Sequence, residues 1–225
     1  MRASPDRGCM DDTSLRSLAD RTFEALVSLY GDPVCTLDGH EDPWHLMVGA
    51  ILAAQCTDAR VNLVTPALFA RYPHIGDMAL AEIPDIEKFI RSCGIFRMKA
   101  RAIQGSARML QERYESVVPG HMDALLSLPG IGRKIANLVL GDGFGIPGVV
   151  VDTHCARISC RIGFTMAQDP AAIEKDLCAA FPSDRWISLG HLMVTHGRNL
   201  CPAVRPHCDT CPLHAFCRYA AGGSA

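Results

Sequence analysis

The chain has 225 residues, 48% of them apolar, enough for one core or two modest ones. A formal charge of −2 and a pI near 6.5 exclude bulk positive charge as the mark of a nucleic-acid partner, so any such partner has to meet a local basic surface. Eleven cysteines, an odd number, with no signal peptide or long apolar span, speak against an oxidised secreted framework and for a reducing cytosol, with no membrane segment.

Helical periodicity runs through the chain, and strand alternation is absent. Residues 1–14 read as a flexible N-terminal extension. Leu15, Leu18, Ala19, Phe23, Leu26, Val27 and Tyr30 follow helical spacing and stop at Gly31. Asp42-Pro43 is an N-cap followed by a first-turn proline, opening a helix from Trp44 to about Ala54. Further helices are expected over 58–72, interrupted at Pro66, and over 85–93 and 97–113. Between residues 91 and 113, Arg91, Arg97, Lys99, Arg101, Arg108 and Arg113 are opposed only by Glu112, which reads as a basic face.

Met122–Leu128 reads as a short amphipathic helix ended by Pro129, which lacks an N–H and pushes Leu128 out of the helical region. Gly130 and Gly132 permit positive φ and close approach. Arg133 to Leu140 forms a second helix with Gly141 past its end. Gly-Ile-Gly alone is weak evidence. Proline, two glycines, Arg133-Lys134 and a following helix together make a helix-hairpin-helix, a device that grips DNA backbone through N–H groups without reading sequence. Val149-Val150-Val151-Asp152-Thr153-His154 brings a carboxylate out of a buried apolar run, where Asp152 also reads as the N-cap of the next helix. Asp169-Pro170 opens a helix to Ala180, and Ser183 starts one reaching Arg198.

Four of the cysteines crowd together. Cys201, Cys208, Cys211 and Cys217 give Cys-x6-Cys-x2-Cys-x5-Cys, a thiolate set suited to an iron–sulfur cluster or a structural zinc. Zinc sites more often use two paired Cys-x2-Cys or Cys/His elements, and only one such pair is present.

These motifs, in this order, resemble the endonuclease III family of helix-hairpin-helix DNA glycosylase/AP lyases. The likeness extends from about Leu15 to about Tyr219. It rests on Leu128–Lys134, Val151-Asp152-Thr153-His154, the four cysteines, Ala54-Gln55-Cys56-Thr57-Asp58, the Gly94-Ile95 loop and His196-Gly197-Arg198. The resemblance implies an all-α, two-domain fold. A six-helix domain (36–146) carries the hairpin. A discontinuous cluster domain (15–35 with 147–220) holds a 4Fe–4S cluster on the four cysteines, and DNA lies in the cleft between the two. It further implies Lys134 as nucleophile, Asp152 as the essential carboxylate, and Gly130, Gly132, Arg133, Gln55, Ile95, His154 and Arg205 as DNA-contacting residues. Read without the family, Gln55 is a polar helix end, Ile95 a core residue, Lys134 a phosphate contact and Asp152 a plain cap. Two positions depart from the family's pattern. The loop between Cys201 and Cys208 carries only Arg205 and His207 as cations, and Ile135 follows the lysine where a small polar residue is common.

The chemistry fits these residue types. C1′ is inaccessible in a stacked duplex, so the nucleotide has to be extruded. A neutral lysine amine can then displace the base and form a Schiff base that permits β-elimination. A carboxylate can take the lysine's proton or stabilise positive charge on the sugar. The expected partner is double-stranded DNA holding damaged pyrimidines or abasic sites, and the protein is expected to act as a monomer. Two other classes compete: a monofunctional mismatch glycosylase and a non-enzymatic iron–sulfur DNA-binding module. The presence of Lys134 and the lack of a carboxylate in 49–54 weigh against the first, and the pair Lys134 and Asp152 against the second.

Overall fold

The structure, a computed structural model, describes residues 12–222. All regular elements among them are helical, with no strand. The described residues divide into two compact units: Val34–Val150 forms one, and those up to Pro33 together with those from Val151 form the other. Of the expected N-terminal extension, residues 1–11 lie outside the described residues, and Asp12–Ser14 form the first turn of helix α1. No described helix is long and apolar enough to cross a membrane.

The first unit contains α2 (Pro43–Ala53), α3 (Asp58–Arg71), α4 (Ile75–Leu80), α5 (Ile83–Ile90), α6 (Phe96–Arg113), α7 (Met122–Ser127) and α8 (Arg133–Leu138). Helix α2 is its centre. Asp42 caps it, its Oδ1 accepting from the Trp44 and His45 N–H groups at 2.8 and 2.9 Å, and Pro43 opens the first turn. Every residue from Leu46 to Leu52 is buried. An apolar helix without a polar face has to be wrapped on all sides, and the continuous core from Cys35 to Leu140 does this.

Three expectations change here. Pro66 does not interrupt α3, which runs through it; a proline inside a helix gives up one backbone bond without always breaking the helix. Helix α4, absent from the periodicity, is a single turn and a half whose start is fixed locally: the His74 N–H donates to Asp77 Oδ2 at 3.1 Å. The helix expected over 85–93 begins earlier, with Pro84 in its first turn, and its last three residues tighten into a 3-10 turn.

The second unit packs α1 (Asp12–Tyr30), α9 (Thr153–Ile162), α10 (Pro170–Ala180) and α11 (Trp186–Asn199) around Leu26, Ile158, Leu177, Leu189 and Met193. Gly31 at φ +72° ends α1 and Gly163 at φ +113° ends α9, both left-handed positions that a side chain resists. Asp169 caps α10 through the Ala172 N–H at 3.0 Å, with Pro170 in the first turn. Beyond α11 the described residues make only turns, with 3-10 segments at Cys208–Thr210 and His214–Phe216.

Candidate active site

The hairpin is built by contacts from α6. Leu128 is extended, as its proline neighbour requires, and ends α7. Ser106 Oγ donates to the Pro129 carbonyl at 2.9 Å. Gly130 has φ +79°, and a Cβ there would lie 2.7 Å from the Ala102 Cβ. Gly130 is therefore demanded twice by the fold, once by its backbone angle and once by space. Gly132 differs. Its φ is −98°, not positive, and a Cβ there would meet nothing within 4 Å. The open side of the hairpin lies at Gly132, and the exposed Arg133 and Lys134 follow it directly. The helix they open is shorter than expected: after Leu138 it widens into a π-type turn through Gly143, which packs on Pro43. Asn137, one turn beyond Lys134, donates through Nδ2 to the Val149 carbonyl at 3.0 Å and so holds the segment leading to Asp152.

Gln55 and Ile95 both sit in left-handed backbone conformations, at φ +54° and +35°, and both are exposed. Ile95 is 50% accessible, so the core reading of this residue fails. Large side chains in such conformations are strained and persist where their surroundings hold them, a pattern common at functional sites. Sequence periodicity carries no sign of either angle.

In the second unit, Asp152 is half-buried and caps α9, its Oδ1 accepting from the Cys155 N–H at 2.8 Å. His154 accepts at Nδ1 from the Arg157 guanidinium at 3.1 Å. Burial pulls its imidazole below the ordinary value, against the Asp152 carboxylate, which pushes it up. Gly197 shows why glycine stands between His196 and Arg198: a Cβ there would collide with the His154 ring and lie 2.9 Å from Arg157 Nη2.

The same helix reaches the four cysteines. Arg157 Nη2 donates to the Cys201 carbonyl at 2.9 Å. Arg161, one turn on, donates to Cys201 Sγ at 3.2 Å, to the Pro202 carbonyl at 2.7 Å and to the Ala203 carbonyl at 2.8 Å. Sequence reading missed both arginines; their i, i+4 spacing behind Asp152 was the available signal. Cys201, Cys208, Cys211 and Cys217 line one cavity with Arg161, His196 and Leu213. Burial, and then the neighbouring thiols, push Cys208 and Cys211 above the usual thiol value. Thiols gathered this way favour a positively charged group among them. Burial holds His196 neutral, at about 4, between the Tyr30 hydroxyl at 3.0 Å and Cys211 Sγ at 3.6 Å. Arg205 is exposed in the intervening loop, with φ +54°. Cys35 and Cys155 lie outside this cavity: burial raises Cys35 to about 11 and Cys155 to about 12, as expected of inert core residues.

An all-helical chain with a glycine hairpin presenting lysine, and a helix capped by aspartate that also carries the cysteine segment, defines a class of helix-hairpin-helix protein. Residues 48–183 match the family described as HhH-GPD superfamily base excision DNA repair protein. Endonuclease III of Synechocystis sp. is 47% identical over 210 residues, covering 90% of this chain and 95% of the relative. A solved non-covalent endonuclease III–DNA complex is 38% identical with a TM-score of 0.86, covering 92% of this chain and 97% of its own. A trapped endonuclease III–DNA covalent intermediate, an estranged-adenine complex, is 37% identical with a TM-score of 0.86, covering 95% and 98%. The chain belongs to the HhH-GPD superfamily and, within it, to the endonuclease III family.

Proposed function

We infer that this protein is a bifunctional DNA N-glycosylase and AP lyase of base excision repair, removing oxidised pyrimidines from duplex DNA and cleaving the abasic site by β-elimination. The observation that carries the reading is the exposed Lys134 two residues beyond Gly132, where the fold leaves open space and requires no glycine of its own. A DNA backbone approaching Gly132 and Arg133 brings a sugar to Lys134.

The extruded nucleotide presents C1′ to the Lys134 amine. The Nζ–C1′ bond forms as the glycosidic bond breaks, and the electron pair leaves with the base, which takes up a proton. Opening of the sugar ring gives the Schiff base, whose positive nitrogen acidifies the 2′ hydrogen. Loss of that proton expels the 3′ phosphate, and water releases Lys134. Asp152 takes the amine's proton or stabilises the developing positive sugar; its cap bond to Cys155 fixes the carboxylate for this work. Gln55 enters the gap left by the extruded nucleotide, Ile95 wedges into the stack, and Gly130, Gly132, Arg133, His154 and Arg205 contact the DNA.

Cys201, Cys208, Cys211 and Cys217 hold a 4Fe–4S cluster. Two features support this over zinc. The four thiols line one cavity. Their sequence holds only one Cys-x2-Cys pair, Cys208 with Cys211, where structural zinc sites more often use two paired elements. When bound, the cluster cross-links the segment that carries Arg205.

The test is single-turnover reaction of wild type with duplexes holding one thymine glycol or one abasic site. Free base and β-elimination ends from the first substrate support the full reading. Cleavage of the abasic duplex alone reduces it to a lyase, and no cleavage of either overturns it.

A further inference from the structure

Lys99 was grouped with the basic face of α6, and the structure places it elsewhere: it is 3% accessible, in line with Ile103, Ala107 and Leu110 on the buried side of that helix. Its ammonium makes no ion pair with a carboxylate among the described residues. It donates instead to two backbone carbonyls, Leu52 at 2.8 Å and Cys93, with the thiols of Cys56 and Cys93 nearby. Leu52 lies in the last turn of α2 and Cys93 closes the 3-10 turn after α5. Both carbonyls belong to helix ends, where carbonyl groups lack helical partners and a cation is favoured.

The two capped ends lead into the two exposed left-handed residues. Gln55 stands three residues beyond Leu52, and Ile95 two residues beyond Cys93. The turns abut: a Cβ on Gly94 would lie 3.8 Å from the Gln55 carbonyl. The Lys99 N–H also donates to the Ile95 carbonyl at 3.3 Å. One residue thus grips both turns, by its ammonium and by its backbone. Burying an ammonium is unfavourable, and burial indeed pulls Lys99 below the ordinary lysine value. An apolar side chain would fill the site at less expense, but it would leave two buried carbonyls unpaired and the two strained turns independent.

We propose that Lys99 is a positioning residue that locks the Gln55 turn to the Ile95 turn, so that the two side chains enter a duplex as one rigid edge. The proposal rests on the reading of Gln55 and Ile95 as duplex-probing residues. Two turns already ordered together need no further ordering when the stack is opened, so the benefit falls on duplex substrates. A single-stranded abasic site has no stack to open, and the lock is dispensable there.

The experiment compares Lys99→Met with wild type in single-turnover cleavage of an abasic duplex and of an abasic single strand. A loss of about tenfold or more on the duplex, with less than about twofold on the single strand, is expected for removing one buried charge-assisted clamp. Introduced into a Gln55→Ala, Ile95→Ala background, Lys99→Met adds little further loss, because the side chains it positions are gone. Equal losses on both substrates, or none on the duplex, overturn the proposal. Amide hydrogen exchange on wild type decides the same question should Lys99→Met not fold. Residues 53–56 and 93–96 are expected to open as one unit, and independent opening overturns the proposal. Wild-type inactivity on the abasic duplex would sink the enzymatic reading alone, since the exchange experiment needs no turnover.

Discussion

The stretch from Cys35 to Leu140 and the stretch from Cys201 to Cys217 are held by different physics. The first wraps a wholly apolar helix in a continuous core, and most of its proposed functional positions are surface points on that core. In the second, Leu213 is the only buried residue between Cys201 and Gly222. Its order comes from short turns, from the Arg157 and Arg161 guanidinium groups, and from four thiols round one cavity. Apolar burial can hold a hairpin or a turn in place on its own. A segment with almost no core has to be cross-linked, and a bound cluster is such a cross-link.

The comparison is sharpest where chemistry and stability separate. Lys134→Ala is expected to abolish cleavage of the abasic duplex, by about a thousandfold or more, while leaving urea unfolding within ~0.5 kcal/mol of wild type, because Lys134 is exposed. Cys208→Ser is expected to act on local stability instead. Visible absorbance of the proposed cluster should be lost, and limited proteolysis should cut residues 200–222 first while a fragment spanning the Val34–Val150 unit persists, with a local loss of roughly 3 kcal/mol. Collapse of both regions together would break the distinction.

The hairpin glycines give the next smaller contrast. Gly130→Ala should destabilise by about 2 kcal/mol in urea titration, from its positive φ and the Ala102 contact. Gly132→Ala should leave stability unchanged within ~0.5 kcal/mol. Its effect should appear in duplex affinity, weakened several-fold, since its open side is where a phosphate would approach. An unchanged affinity would remove Gly132 from the interface.

Local chemistry was legible before the structure. Asp-Pro pairs at 42–43 and 169–170 cap helices as their side chains dictate, and Pro129 with Gly130 forms the turn their backbone limits require. What escaped depends on contacts distant in sequence or on backbone angles. Lys99 looked like surface charge because its acceptors, Leu52 and Cys93, are backbone groups that no residue type announces. Its i, i+4, i+8 alignment with Ile103 and Ala107 was the one available hint. Ile95 looked like core because nothing in its neighbours predicts φ +35°. Gly132 looked like a conformational glycine, and only coordinates separate open space from positive φ.

One covalent bond, from Lys134 to the sugar, carries the proposed activity. Borohydride reduction of the wild-type protein on an abasic duplex, followed by nuclease and protease digestion and mass spectrometry, locates the sugar remnant. The prediction is a single modified peptide with the added mass on Lys134. A remnant on another amine, or no adduct from folded protein, would contradict it.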